Sequence, residues 1–119
     1  MFISLLKSKL HHIRVTEAEL DYEGSLSLDS ALMEAVGIFP YEKLLIADLE
    51  NGNRFETYAI EAPRGEGTCC LNGAAAHQGK VGDRLIVMTF CQVTPEEAAH
   101  HVPRVVRLDA KNRIAGKAL

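Results

Sequence analysis

Short β-strand patterns separated by turn residues dominate this chain and limit the folds that it can adopt. In most of them apolar and polar residues alternate, as in strands whose two faces meet different surroundings. The segment 84–93 is instead almost continuously apolar, which predicts a strand buried on both faces. The seven segments with a strand pattern are 9–15, 22–28, 43–49, 54–60, 69–71, 84–93 and 104–108. So many short strands in 119 residues predict a mainly β protein built as a compact barrel.

Two short helices and a hairpin turn are predicted between these strands. The first helix covers 30–36, with Asp29 or the serine after it as its N-cap and Gly37 as its C-terminal stop. The second begins after Thr94, where a proline and two acidic residues form the first turn. From Asn112 onward the sequence predicts a polar tail. Asn51-Gly52 is a strong hairpin signal, because both residues tolerate the positive φ of a tight turn.

Composition and charge favour an ordinary globular protein and exclude several classes. The length of 119 residues suits one domain, predicted over 1–119. A net charge of −3 lacks the basic excess expected of a nucleic-acid-binding protein, so no nucleic-acid partner is expected. Lys7 and Lys9 interrupt the apolar start too early for a signal peptide. No apolar run approaches the about 20 residues that span a bilayer, so we expect a cytoplasmic protein with no membrane partner.

The cysteines and histidines indicate neither a disulfide framework nor a metal site. Cys69, Cys70 and Cys91 are odd in number, two of them are adjacent, and no Cys-x-x-Cys pair is present. Neighbours in a strand point to opposite faces, so His11-His12 cannot offer both rings to one metal ion. We therefore expect buried, reduced thiols and no bound metal.

The dipeptide Gly24-Ser25 is the candidate for chemistry. A serine hydroxyl can attack the carbonyl of a preceding glycine, because a residue without Cβ enters strained backbone regions and leaves its carbonyl open. The peptide bond would become an ester, and loss of the Ser25 α-proton followed by hydrolysis would leave a pyruvoyl group. A Gly-Ser pair alone is usually a turn, so the argument depends on other motifs in the chain. Those motifs are Lys9-Leu10-His11, Arg54-Phe55-Glu56-Thr57-Tyr58 and Asn72-Gly73-Ala74-Ala75-Ala76-His77.

In their order and spacing these motifs resemble the aspartate 1-decarboxylase family, over nearly the whole chain. The resemblance implies a double-psi β-barrel with two or three short helices, self-cleaved between Gly24 and Ser25 into chains 1–24 and 25–119. It implies decarboxylation of L-aspartate to β-alanine and carbon dioxide for pantothenate and coenzyme A synthesis. The implied cofactor is a covalently bound pyruvoyl group derived from Ser25. The implied assembly is a homotetramer with sites at subunit boundaries, and some relatives need an accessory maturation protein as a further partner.

The resemblance also assigns roles to particular residues. The catalytic ones are Ser25, which becomes the cofactor, and Tyr58, which protonates the former α-carbon of the substrate. The residues implied in self-cleavage are Gly24, Ser25, Thr57, His11 and Tyr22. The residues implied in substrate binding are Lys9, Arg54, Thr57, Asn72, Gly73, Ala74 and Ala75.

The two cationic residues suit a substrate with two carboxylates. Arg54 can hold a carboxylate through two parallel hydrogen bonds, and Lys9 supplies a compact positive charge. The alternation over 9–15 puts Lys9 and His11 on the face of Ile13, which predicts a polar pocket at one end of the barrel interior. Taken by itself, Arg54 follows a hairpin turn and would be interpreted as a solvated residue.

Thr57 and Tyr58 present a conflict within the assigned roles. They are neighbours in a predicted strand and should point to opposite sides of the sheet. Both can reach one site only if the strand twists or bulges there.

Two other functions stay open at this point. One is a pyruvoyl-dependent decarboxylase for another amino acid, but the pair Lys9 and Arg54 would not suit a monocarboxylate or a basic substrate. The other is a double-psi barrel that serves as a binding or assembly module and is never cleaved. The presence of both Ser25 and Thr57 argues against such a module, which has no use for the pair.

Overall fold

Nine β-strands form about half of the protein in the computed structural model, which describes residues 1–116. The strands are β1 (Ile3–Arg14), β2 (Glu17–Glu19), β3 (Ser25–Asp29), β4 (Lys43–Asp48), β5 (Arg54–Ala62), β6 (Cys69–Asn72), β7 (Arg84–Val93), β8 (Arg104–Leu108) and β9 (Ile114–Gly116). Within that range there are two α-helices, α1 (Ser30–Val36) and α2 (Pro95–Ala98), and a 3-10 helix at Gly73–His77. The prediction of a mainly β fold with two or three short helices is confirmed.

The strands form one sheet in the order β2-β6-β3-β5-β4-β7-β1-β8-β9. β1, the longest strand, lies between β7 and β8, antiparallel to the first and parallel to the second. Just after β1, the backbone N–H of Thr16 donates to the carbonyl oxygen of Cys69, with 2.8 Å between N and O. This bond brings the end of β1 next to β6, near the opposite edge of the sheet. The sheet therefore curls onto itself, in agreement with the predicted β-barrel.

One face of the sheet carries the hydrophobic core. Leu10, Val87 and Ile46 occupy a single row across β1, β7 and β4, and all three are fully buried. Burying an apolar side chain of this size contributes about 1.5–3 kcal/mol. Because side chains alternate along a strand, the residues between these core positions point to the opposite face.

The helix ends follow the predicted local signals. The Asp29 carboxylate accepts the backbone N–H of Ala31 at 2.8 Å, and Gly37 ends α1 with a left-handed φ of 76°. At α2 the Thr94 hydroxyl accepts the N–H of Glu97, whose carboxylate accepts the N–H of Thr94 in return. No helix in the described part of the chain is long and apolar enough to cross a membrane.

The prediction that β7 is buried on both faces was wrong. Leu85 and Val87 are fully buried, whereas Phe90 on the other face is 48% exposed. The outward positions of β7 carry apolar side chains, so the sequence shows no alternation although the strand has one buried and one open face.

The prediction that Lys9 and His11 share a face with Ile13 was also wrong. His12 has a φ of 69°, and the register of β1 with β7 shifts between His11 and Ile13. The irregularity changes the alternation, so that Leu10 and Ile13, three positions apart, both enter the core. Lys9 and His11 are half-buried on the opposite face.

The polar tail predicted from Asn112 onward is partly structured. Asn112 is buried and donates through Nδ2 to the carbonyl oxygens of Arg14 and Gly67, at 2.9 and 2.8 Å. It also accepts the N–H of Arg14, so it ties the segment before β9 to β1. The end of the predicted tail, 117–119, lies outside the described residues.

Two carboxyl groups meet beside the turn that follows β4. Asp48 is 2% exposed, and its Oδ1 accepts the N–H of Glu50 at 2.8 Å. Its Oδ2 has no hydrogen-bond partner unless a proton is shared with Asp83. Burial and the adjacent Asp83 raise the pKa of Asp48 to about 6. The folded protein therefore holds a proton on Asp48 more tightly than the unfolded chain does. The stability that comes from this difference is present at low pH and is lost as the pH rises through about 6.

We expect Asp48→Asn to raise the free energy of unfolding by about 1–3 kcal/mol at about pH 8. The amide keeps an acceptor for Glu50 and removes a buried negative charge beside Asp83. Near pH 4 the gain should largely disappear, because the wild-type carboxyl is then protonated. Urea unfolding at both pH values measures this, with Glu61→Gln at an exposed position of β5 as the control. An equal gain at both pH values would contradict the explanation.

Candidate active site

Ser25 and Asn72 lie opposite each other in the antiparallel pair β3 and β6. The adjacent Leu26 and Leu71 enter the core, so the two polar side chains point to the other face of the sheet. The Nδ2 of Asn72 donates to the Oγ of Ser25 at 3.0 Å, and that Oγ donates to the carbonyl oxygen of Glu23 at 3.2 Å. Ser25 is 0% exposed. The serine hydroxyl is therefore held in one orientation and shielded from solvent.

The backbone just before Ser25 packs tightly against the start of the 3-10 helix. Gly73 has a φ of 63°, and a Cβ there would lie 2.7 Å from the Cα of Gly24 and 2.8 Å from the carbonyl oxygen of Tyr22. These distances are too short for any side chain, so this arrangement admits only glycine at position 73. The strand predicted over 22–28 begins only at Ser25, and Gly24 is exposed in the turn before it.

Two cavities share a wall beside Gly24. The smaller, of about 360 Å³, is lined by Gly24, Thr57, Tyr58, Ala74 and Ala75 among others. The larger, of about 790 Å³, is lined by Tyr22 and again by Thr57 and Tyr58. Thr57 and Tyr58 therefore both border the space next to the Gly24–Ser25 peptide bond. Both residues reach this space, although neighbours in a strand were expected to point to opposite sides of the sheet.

The pairing of β3 with β5 determines which of these two residues is beside Ser25. The strands are parallel, with Leu26 paired to Ala59. One residue earlier in both strands, Ser25 and Tyr58 are neighbours on the same face of the sheet.

Lys9 and His11 do not lie at these cavities within one chain. They are on β1, which is separated from β5 by β4 and β7. Three steps of about 4.8 Å make about 14 Å, which is more than a lysine side chain can span. The register nevertheless puts Lys9 on the same face of the sheet as Tyr58. Lys9 is paired with Met88, Met88 with Leu45, and Leu45 with Glu56, which is two residues before Tyr58.

The surface around His11 is cationic. The ring of His11 stacks on that of His12, with 3.9 Å between centroids, so the prediction that these neighbours point to opposite faces was wrong. The positive φ of His12 breaks the alternation there. His11 is also paired with Arg107 of β8. Burial, followed by the positive charges of His12, Lys9 and Arg107, lowers the pKa of His11. Such a surface favours anions, including carboxylates.

Arg54 is on the same strand as Thr57 and Tyr58 but is not among the residues that line the two cavities. It is the first residue of β5 and is exposed. The register connects it through Ala47 and Ile86 to His11, so its side chain is on the same face as Lys9. Of the predicted site residues, the structure groups Ser25, Thr57, Tyr58 and Asn72 with Gly24, Tyr22 and the start of the 3-10 helix, and leaves Arg54 and the residues on β1 apart.

All three cysteines are free. Cys69 and Cys70 are buried, as predicted, whereas Cys91 is only half-buried. Among residues 1–116 no three His, Cys, Asp or Glu side chains are grouped as metal ligands would be.

Comparison with known proteins agrees with this geometry. A family model described as Aspartate decarboxylase matches residues 1–115. The chain belongs to the aspartate decarboxylase family. The aspartate 1-decarboxylase of Lactiplantibacillus plantarum is 53% identical over 114 residues, which are 96% of this chain and 88% of that protein. Those of Caldicellulosiruptor bescii and Syntrophobacter fumaroxidans are each 51% identical, over 96% and 97% of this chain and 89% and 93% of theirs.

In this member of the aspartate decarboxylase family, sequence reasoning missed two residues beside Ser25. Asn72 also donates through Nδ2 to the Oγ of Ser27 at 2.8 Å, and the thiol of Cys70 donates to the Oδ1 of Asn72 at 3.1 Å. Alternation in β3 and β6 already puts these positions on one face. Cys70 was overlooked because a cysteine in a buried strand usually packs as a small apolar residue.

We expect Gly73→Ala to destabilise this aspartate decarboxylase family member by about 3 kcal/mol or more, combining left-handed backbone strain with overpacking. Gly52→Ala is the matched control, because Gly52 has a φ of 77° but nothing within 4 Å of an added Cβ. That variant should lose only about 1–2 kcal/mol. Urea unfolding compares the two. Equal losses would mean that the contact between Gly73 and Gly24 is not tight.

Proposed function

We propose that this chain converts L-aspartate to β-alanine and carbon dioxide, using a pyruvoyl group made from its own Ser25. The observation that carries the proposal is the buried Ser25 hydroxyl, held by Asn72 directly after a glycine that packs against Gly73. The family match over residues 1–115 supports aspartate as the substrate. The product would supply pantothenate and coenzyme A synthesis. The free cysteines support a reducing, cytoplasmic setting.

Self-cleavage would begin with attack of the Ser25 Oγ on the carbonyl carbon of Gly24. A C–O ester bond forms as the C–N peptide bond breaks, which releases the Ser25 amine. Loss of the Ser25 α-proton then expels the Gly24 carboxylate and leaves dehydroalanine, which takes up water and loses ammonia. The products are chains 1–24 and 25–119, the second beginning with the pyruvoyl group. Thr57, in the cavity wall beside Gly24, can donate a hydrogen bond to the carbonyl oxygen as it gains negative charge.

Tyr22 and His11 are also assigned to self-cleavage, and only the first lies near the Gly24–Ser25 bond within one chain. Tyr22 borders the larger cavity and precedes the bond by two residues, which supports a role there. His11 is on β1, too far away within one chain, so any contribution from it would come from another copy.

The surroundings of Ser25 fit a pyruvoyl group. Such a group supplies a carbonyl that condenses with the substrate amine and accepts the electrons released with carbon dioxide. Asn72 already aims an N–H at the Ser25 side chain, and a cavity of about 360 Å³ borders the preceding residue. Tyr58, beside Ser25, is the proposed acid that protonates the former α-carbon. The backbone at Ala74 and Ala75 lines the same cavity and is proposed to bind a carboxylate.

Arg54 and Lys9 are the proposed ligands of the two substrate carboxylates. Because Lys9 is three strands from β5, it would serve the cavity of a neighbouring copy. The face between them carries the apolar side chains of Ile86, Met88 and Phe90, the last 48% exposed. An apolar face of this kind favours contact with another subunit. These observations support sites at subunit boundaries, and the family resemblance implies that the assembly is a homotetramer.

The two alternatives are less well supported. A decarboxylase for a basic or monocarboxylic amino acid would leave one of the two cations, Lys9 or Arg54, without a partner. A binding module that is never cleaved would have no use for a buried serine held beside Gly24.

We expect Ser25→Ala to fold, to remain one chain of 119 residues and to have no decarboxylase activity. The wild type should yield fragments 1–24 and 25–119, the second blocked at its N-terminus. Denatured intact mass after prolonged incubation measures cleavage, and Ser4→Ala, at an exposed position of β1, is the control. Residual activity in Ser25→Ala would overturn the mechanism. A wild type that is cut only after an accessory maturation protein is added would mean assisted self-cleavage.

We expect Lys9→Ala and Tyr58→Phe to be almost inactive separately and to recover activity when co-expressed. A mixed boundary can take Lys9 from one copy and Tyr58 from the other, which restores about a quarter of the sites if subunits mix at random. Differently tagged variants allow hybrids to be isolated and assayed for β-alanine. Hybrids as inactive as the parents would place both residues in the same subunit's site or remove one of them from it.

A further inference from the structure

Four polar side chains form a square on the face of the β3–β6 pair that carries Ser25. Ser25 is paired with Asn72, and Ser27 is paired with Cys70. Residues two apart in a strand share a face, so all four lie together, away from the core. These four residues, Ser25, Ser27, Cys70 and Asn72, are named the polar quartet.

Asn72 is the hub of the polar quartet. Its Nδ2 donates to the Oγ of Ser25 at 3.0 Å and to the Oγ of Ser27 at 2.8 Å. Its Oδ1 accepts from the Sγ of Cys70 at 3.1 Å. Both amide hydrogens and the amide oxygen therefore have partners.

The thiol determines which end of the amide faces Ser25. An amide turned by 180° would present Oδ1 to the two hydroxyls and its N–H groups to sulfur, which is a weak acceptor. Ser25 would then lose the N–H that holds its Oγ and would donate to Asn72 instead of Glu23. A hydrogen-bond donor at position 70 disfavours this turned state.

Burial strengthens the effect of the thiol. Cys70 is 5% exposed and Asn72 is 2% exposed, so water cannot easily replace the bond between them. Burial, with the nearby charges of Glu17 and Glu19, raises the pKa of Cys70 and keeps its proton available for donation.

We infer that Cys70 is a positioning residue for self-cleavage, because its thiol orients the Asn72 amide that holds the Ser25 hydroxyl beside the Gly24 carbonyl. Cys70 has no contact with the bond that breaks and acts only through Asn72. The inference rests on the self-cleavage proposed above. It adds a requirement for a hydrogen-bond donor at position 70.

The test compares the rate of fragment formation in the wild-type precursor and four purified variants, followed by denatured intact mass. Cys70→Ala and Cys70→Val remove the donor, one with a smaller and one with a similar side chain, and should cleave about tenfold more slowly than wild type. Cys70→Ser keeps a donor and should stay within about threefold of wild type. Cys69→Ala, at the adjacent buried thiol of the core face, is the control and should cleave at nearly the wild-type rate.

Three results would overturn the inference. The first is cleavage of Cys70→Ala and Cys70→Val at the wild-type rate. The second is Cys70→Ser as slow as Cys70→Ala, which would mean that the donor is irrelevant. The third is equal slowing in Cys69→Ala, which would indicate general loosening of the β3–β6 pair. Thermal unfolding of each variant identifies any that have simply lost the fold.

A second measurement separates failure of this inference from failure of the proposed function. If the wild type is not cleaved at all, the self-cleavage proposal fails, but the orientation of the amide can still be measured. Hydrogen exchange of the Asn72 side-chain NH₂, followed by NMR in the uncut chain, should be slow in wild type and Cys70→Ser and faster in Cys70→Ala. Equal exchange in all three would refute the role of Cys70 in holding Asn72.

Discussion

The antiparallel register of β3 with β6 is the constraint on which the candidate site depends. Leu26, Leu28 and Leu71 are fully buried on one side of this pair. A slip of one residue would turn these leucines outward and bring the serines into the core. The free energy of burying them, about 1.5–3 kcal/mol each, therefore also fixes where Ser25 and Asn72 point. Packing of these leucines in the core therefore determines which polar side chains meet on the opposite face.

The same division into two faces puts the most widely separated of the predicted site residues on one surface of the sheet. The inner face is filled mainly by apolar rows such as Leu10, Val87 and Ile46. The proposed site residues Tyr58 and Lys9 are on the outer face, on strands separated by two others. If both residues serve one site, as proposed, a second copy of the chain would have to lie against this face. In that arrangement the contact between subunits would also complete the substrate-binding site.

Local signals in the sequence predicted local structure well, but they could not predict which distant strands pair or in which register. The bounds of α1 and β7 were correct because caps, turn residues and an apolar run mark them directly. The irregularity at His12 was missed, because a positive φ at a residue other than glycine leaves no trace in the alternation of β1. Family resemblance grouped the site residues, but the separation of Lys9 required the strand order, and the bond from Cys70 to Asn72 required the register of distant strands.

The location of Gly24 in the fold determines what a cut there leaves behind. Residues before it include all of β1, which lies between β7 and β8, and β2, which is paired with β6. A severed first fragment would stay embedded in the sheet without a covalent link to the rest. An uncut chain folds at the fixed effective concentration of its own segments, whereas a cut one must find its missing strand by collision, more slowly as it is diluted. Correct folding would therefore have to be completed before cleavage, because a cleaved protein that unfolds would regain its structure only slowly.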